Sequence, residues 1–193
     1  PNIEPNPEFK GKFVLGGDLI DRGTQSRECL CTVLRFMKQM KTKKRGIDFN
    51  YLLGDHESQF IADMGELKGI DNNGYLKKQL IKAVEKNDVK TAILLKDESK
   101  TMVVSHAVVT GTAIESILCY ESELKSLSGK IIIQGKSFDV SSFIERAKAL
   151  SVESEPNNEC LAKFFDDLNK FINFGLTEVA NESKDDMFYN IIN

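Results

Sequence analysis

The sequence predicts an α/β fold, a β-sheet with flanking helices followed by a helical region, and three observations predict it. Two short apolar runs, Lys12–Gly16 and Phe49–Leu53, bracket a segment of helical periodicity, which is the β-α-β pattern of a parallel sheet. Two further β-rich runs, Thr91–Leu95 and Thr101–Ser105, are separated by the polar Lys96-Asp97-Glu98-Ser99-Lys100, a hairpin pattern. Beyond them the texture turns helical, over Thr112–Leu127, Val140–Leu150 and Cys160–Phe174.

The lead-in Pro1–Pro7 is rich in Pro and Asn, lacks periodicity and carries no basic stretch before an apolar core, so no signal peptide is read there. The first strand ends at Gly16-Gly17. From Ser26 to about Met40, Leu30, Val33, Leu34 and Met37 recur at helical spacing, while Arg27, Arg35 and Lys38 fall away from that stripe. Lys38, Lys41, Lys43, Lys44 and Arg45 gather where the helix ends before Gly46, which suits a helix C-terminus and reads as a solvated end. Asp71-Asn72-Asn73 supplies cap residues ahead of a helix whose Leu76, Leu80, Ile81 and Val84 share one face and which ends near Asn87. Lys130–Gln134 reads as a strand, Ser151–Glu159 as an exposed polar connection, and the Phe164, Phe165 and Phe171 stripe as core.

With 193 residues, 41% of them apolar, the chain is long enough to bury one sizeable core and too short to require two domains. Its net charge of -3 selects neither nucleic acid nor an anionic membrane. Apolar runs such as Ile131–Ile133 are far below the roughly 20 residues that span a bilayer. The expected compartment is the cytoplasm by default, with secretion of a longer parent left open. Cys29, Cys31, Cys119 and Cys160 lack the paired spacing of a zinc or redox motif and read as free thiols. With His56 and His106 the only histidines, any metal site must lean on carboxylates.

Two segments place polar and charged groups directly after buried strands: Gly17-Asp18-Leu19-Ile20-Asp21-Arg22-Gly23 and Gly54-Asp55-His56-Glu57. Ligands bind at the carboxyl ends of strands in parallel sheets, so Asp18 and Asp55 should project toward one crevice. Hard carboxylate oxygens and a nearby imidazole hold divalent metals there, and Arg22 adds a planar fork of donors for phosphate oxygens. His106 follows a third strand. Taken singly, an Asp after a strand is an ordinary turn residue and a lone His an ordinary core or surface residue; their combination on one β-α-β unit is what points to a site.

The first segment matches the GDxxDRG motif of the phosphoprotein phosphatase branch of the calcineurin-like metallophosphoesterases. The second is similar to that family's GNHE motif, and Val103-Val104-Ser105-His106-Ala107 resembles its strand followed by HGG or HAG. The resemblance spans Phe13–Val109 and implies a metallophosphoesterase-like sheet over residues 1–110, with 111–193 a helical insertion or cap of the same domain. It implies a hydrolase acting on phosphoric monoesters, most simply a protein phosphatase, in which metal-bound hydroxide attacks phosphorus. Asp18 would bridge two divalent ions, with Asp55 and His106 helping to hold the second. Manganese is favoured by the carboxylate richness, with iron or zinc also fitting. His56 would be the general acid, supported by Asp21, and Arg22 would bind the phosphate of a phosphorylated protein or small phosphoester. Glu57 reads as structural.

The chain departs from the family pattern at three points. The family's upstream D-x-H motif and its final metal-binding His are expected to lie outside this sequence, and Asp55 stands where the family usually has Asn. The alternative is a catalytically incomplete phosphatase-like scaffold retained as a binding or interaction module.

Overall fold

The computed structural model describes residues 8–43, 47–62, 67, 69–70, 74–96, 101–106, 110–152 and 157–181. It is mixed α/β and divides into two compact units, Pro1–Lys90 and Thr91–Asn193.

The first unit is the β-α-β pattern realised. Strand β1 (Gly11–Leu15), helix α1 (Ser26–Lys43) and strand β2 (Ile47–Leu52) are followed by helices α2 (Asp55–Ile61) and α3 (Gly74–Glu85) and the short strand β3 (Val89–Lys90). The sheet is parallel throughout in the order β1-β2-β3. Leu15 pairs with Tyr51, so β1 and β2 finish side by side and release their following loops at the same edge. Central β2 contributes the buried Tyr51 and Leu52, and Leu30, Met37 and Met40 of α1 and Leu76, Leu80 and Val84 of α3 are buried with them. Edge strand β1 leaves Phe13 half exposed, its ring stacked 5.4 Å from Phe49. The expected stripe of α1 is buried at Leu30 and Met37, with Val33 and Leu34 partly covered.

The second unit begins with the expected antiparallel hairpin, β4 (Ala92–Lys96) with β5 (Thr101–Ser105). Helices α4 (Thr110–Cys119) and α5 (Glu121–Ser126), the small hairpin β6 (Ile132–Ile133) and β7 (Lys136–Ser137), α6 (Val140–Val152) and α7 (Asn158–Asn181) follow. Phe143 is the hub of the core, its ring centroid 5.5 to 5.7 Å from those of Phe138, Phe164 and Phe171. The aromatic stripe expected to be core is core. Asn169 of α7 closes the start of the hairpin: its Oδ1 accepts the N–H groups of Thr91 (2.8 Å) and Ala92 (3.0 Å), and its Nδ2 donates to the Ala92 carbonyl (2.8 Å).

Four local expectations change. The helix anticipated over Thr112–Leu127 is two helices that meet at Tyr120, because Glu121 and Glu123 open a fresh acidic first turn. The strand anticipated over Lys130–Gln134 pairs only at Ile132–Ile133, since Gln134 and Gly135 both adopt positive φ (50° and 76°) and fold the chain back into β7. Ser151 and Val152 belong to α6, and Asn158 and Glu159 to α7; all four are exposed, as expected, but continue the helices by a residue or two at their ends. Helix α2 was not anticipated: it is one short run in which charged residues open the helix and Phe60 and Ile61 anchor it. Pro1–Pro7, Lys44–Gly46, Asp71–Asn73, Asp97–Lys100 and Ala107 lie outside the described residues.

Candidate metal centre

The loop after β1 is held in an unusual backbone conformation. Gly17, Asp18, Asp21 and Arg22 all have left-handed φ, at 88°, 54°, 70° and 59°. Three of these four carry side chains, and non-glycine residues occupy that region at a cost that the surroundings must offset. The offset is visible in three places. The Asp21 N–H donates to Ser26 Oγ (3.0 Å), and that hydroxyl donates in turn to the Gly23 carbonyl (3.3 Å). The Arg27 N–H donates to the Gly69 carbonyl (3.1 Å), and Gly69 approaches so closely that a Cβ there would meet the Gly23 carbonyl oxygen at 2.2 Å.

The third constraint is Glu57, whose carboxylate is fully buried. One oxygen accepts the Leu19 N–H at 2.7 Å, and the other accepts the N–H groups of Asp18 and Gly54, each at 2.9 Å. The bond from Gly54 is half of a capping box at the start of α2, since glycine has no side chain to return it. A Cβ at Gly54 would lie 2.3 Å from both Asp18 Oδ1 and Glu57 Oε2, so glycine is what lets the two loops touch. Burial pushes the neighbouring Tyr51 phenol well above its ordinary pKa, and the negative charge of Glu57 adds to it.

Around this frame the structure gathers four of the six expected site residues. The buried His56 ring points Nε2 at Asp18 Oδ2 (3.8 Å) and Asp55 Oδ2 (4.0 Å), and turns Nδ1 toward Asp21 Oδ2 (3.3 Å). The backbone N–H of His56 faces Asp18 Oδ1 at 3.4 Å. Arg22 is on the same loop and exposed; His106 directly follows β5 in the second unit and is exposed.

Asp18, Asp55 and His56 each present one ligand atom, all within 4.8 Å of one another. Donors of an ion held at about 2.0–2.2 Å lie at most roughly 4.4 Å apart; both His56–carboxylate separations, 3.8 and 4.0 Å, fall inside that limit, and the three ligand atoms, within 4.8 Å of one another, would draw together around an ion. Two carboxylates and one imidazole suit a borderline or hard divalent cation such as manganese, iron or zinc. By the chemistry of its donors the set fits the expected metal. The signal that sequence reading underused is the three-residue spacing from Gly54 to Glu57, the N-cap to N3 interval of a helix start.

Neither a protein-family model nor a curated protein nor a solved structure matches the chain. Among the described residues, no helix is long and apolar enough to cross a membrane.

Proposed function

We propose that this chain carries the metal-binding and proton-donating half of a calcineurin-like phosphoesterase site, acting on phosphoric monoesters, with a phosphorylated protein as the simplest substrate. The observation that carries this reading is the convergence of Asp18, Asp55 and His56 at one edge of a parallel sheet, with Asp21 behind the imidazole. Asp18 and Asp55 hold the cation through their carboxylate oxygens, and the resemblance alone adds His106. When bound, divalent metal activates water and neutralises charge on the phosphoryl group.

The residues of the chain divide the remaining work. His56 presents Nε2 to the space in front of the two carboxylates and donates a proton to the departing oxygen of the ester. Asp21, facing Nδ1, orients the ring and balances its positive charge while the proton is held there. Arg22 takes the phosphate oxygens in a planar, bidentate contact.

A direct test is hydrolysis of p-nitrophenyl phosphate and of a phosphoserine peptide with manganese present, alongside calorimetry with manganese alone. With His56 Nε2 reserved for the proton, only the Asp18 and Asp55 carboxylates of the cluster are left to hold the cation, fewer than a closed four-ligand site, and weak binding is expected. Tight binding of two manganese ions would show that this donor set is incomplete as described. Absence of hydrolysis of either ester would favour the binding-module alternative.

A further inference from the structure

Glu57 stands outside the chemistry assigned above, yet it is the group on which both loops of the cluster are fastened. A carboxylate with no exposure accepts three backbone N–H bonds, two from residues on the loop after β1 and one from the residue that opens the loop after β2. Both oxygens are used, and all three of these donors are main-chain N–H groups. Asp18 has its own N–H bonded to Glu57 while its φ is left-handed, so its side chain is directed by a backbone that would otherwise relax toward the common φ range. The same carboxylate reaches Gly54, one residue before Asp55 and two before His56.

We infer that Glu57 is a positioning residue that sets the divalent-metal affinity of the cluster by fixing the backbone of Asp18 against that of Gly54, without touching the metal itself. This inference rests on the proposed metal-binding reading. Groups that orient metal ligands from behind typically change affinity about 10–100-fold when removed. Glutamine at this position keeps the shape but turns one oxygen into an NH2 group. Whichever oxygen is replaced, a donor then faces one or two backbone N–H donors, and Asp18 or Leu19 loses its acceptor.

The test compares the unaltered chain with Glu57→Gln and Glu57→Asp by two readouts. Manganese alone is titrated against the chain, and binding is followed by paramagnetic broadening of the Asp18 and His56 resonances. Amide hydrogen exchange is measured at Asp18, Leu19 and Gly54, with the Leu53 N–H, bonded to the Lys90 carbonyl inside the sheet, as internal control. For Glu57→Gln we expect manganese affinity to fall about 10–100-fold. Exchange should accelerate on the order of tenfold or more at the Asp18 and Leu19 amides, with the control much less affected. Glu57→Asp, which keeps the charge but is one methylene shorter, should fall between the two and serves as the readable variant if Glu57→Gln does not fold.

Unchanged manganese affinity in a folded variant whose Asp18 amide has lost protection would overturn the inference. So would acceleration that is equal at the control amide, because Glu57 would then act only on global stability. If the unaltered chain binds no manganese at all, the metal-binding reading fails, and the amide pattern separately decides whether Glu57 fixes the Asp18 backbone.

Discussion

His56 faces two ways: its Nδ1 lies 3.3 Å from Asp21 Oδ2, and its Nε2 lies 3.8 Å from Asp18 Oδ2. Among the described residues Nδ1 is buried and its approach to Asp21 is not aligned as a hydrogen bond, so the pair is set close and needs only a small turn of either side chain to engage. The proposed proton donor needs an orienting group on one nitrogen and the reacting centre at the other, and Asp21 and the carboxylate pair lie on those two sides. The outward nitrogen is the one that shares space with the carboxylates.

The division of labour predicts a dependence on the leaving group. In a preparation with measurable phosphatase activity, His56→Ala should slow hydrolysis of a phosphoserine peptide by about 10²–10⁴-fold, because its alkoxide leaves poorly without a proton. p-Nitrophenyl phosphate should be slowed much less, since its phenolate is already stable. Arg22→Ala should impair both, because the contact proposed for it is with the phosphate that they share. Equal losses for the two esters on removing His56 would exclude the proton-donor role.

Asp55 and asparagine both present an oxygen to a metal, so Asp55→Asn should leave substantial activity while removing one negative charge from the cluster. Metal affinity should fall modestly and turnover should persist at saturating manganese. A loss as complete as that of Asp18→Ala would assign the Asp55 carboxylate a function beyond that of an oxygen ligand.

Gly54 provides a steric test independent of activity. Its φ of -86° is open to any residue, so Gly54→Ala carries no conformational penalty of its own. The added methyl would instead sit 2.3 Å from the Asp18 and Glu57 carboxylate oxygens and 2.5 Å from the Asp18 backbone nitrogen. Because Glu57 is pinned by three bonds, it cannot swing aside, and a destabilisation of about 1–3 kcal/mol is expected together with weakened manganese binding. Urea unfolding followed by circular dichroism measures the first; an unchanged midpoint would mean that the two loops are not in contact.

In the second unit, Asn169→Leu keeps the side-chain bulk and removes all three bonds to the start of β4. Two buried N–H groups and a carbonyl would be left without those partners, which should cost at least about 3 kcal/mol. The chain has no tryptophan, so the transition is best read from the helical signal. A cost below about 1 kcal/mol would show that other groups replace Asn169 readily.

By itself the sequence determined the order of the main elements and the positions at which charged groups leave the strands. Both are written locally: a short, aromatic apolar run at Phe49–Leu53, helical spacing at Leu30–Met37, and glycine-acid pairs at Gly17-Asp18 and Gly54-Asp55. It could also place Asp18 and Asp55 at one sheet edge, because a β-α-β unit puts both strand ends on the same side, and the register of Leu15 with Tyr51 does so. Tertiary structure alone decided which groups meet. His56 joins the two carboxylates because α2 begins at Asp55 and turns the ring back toward the loop after β1, a rotation no strand-end pattern specifies. Glu57 becomes the clasp of the site because two of its three donors come from a segment 38 and 39 residues before it and are brought to it only once the loops close on each other. The left-handed φ values of Asp18, Asp21 and Arg22 have the same origin. Local preference disfavours them, and only contacts made after folding, from Glu57, Ser26 and Gly69, hold them in place.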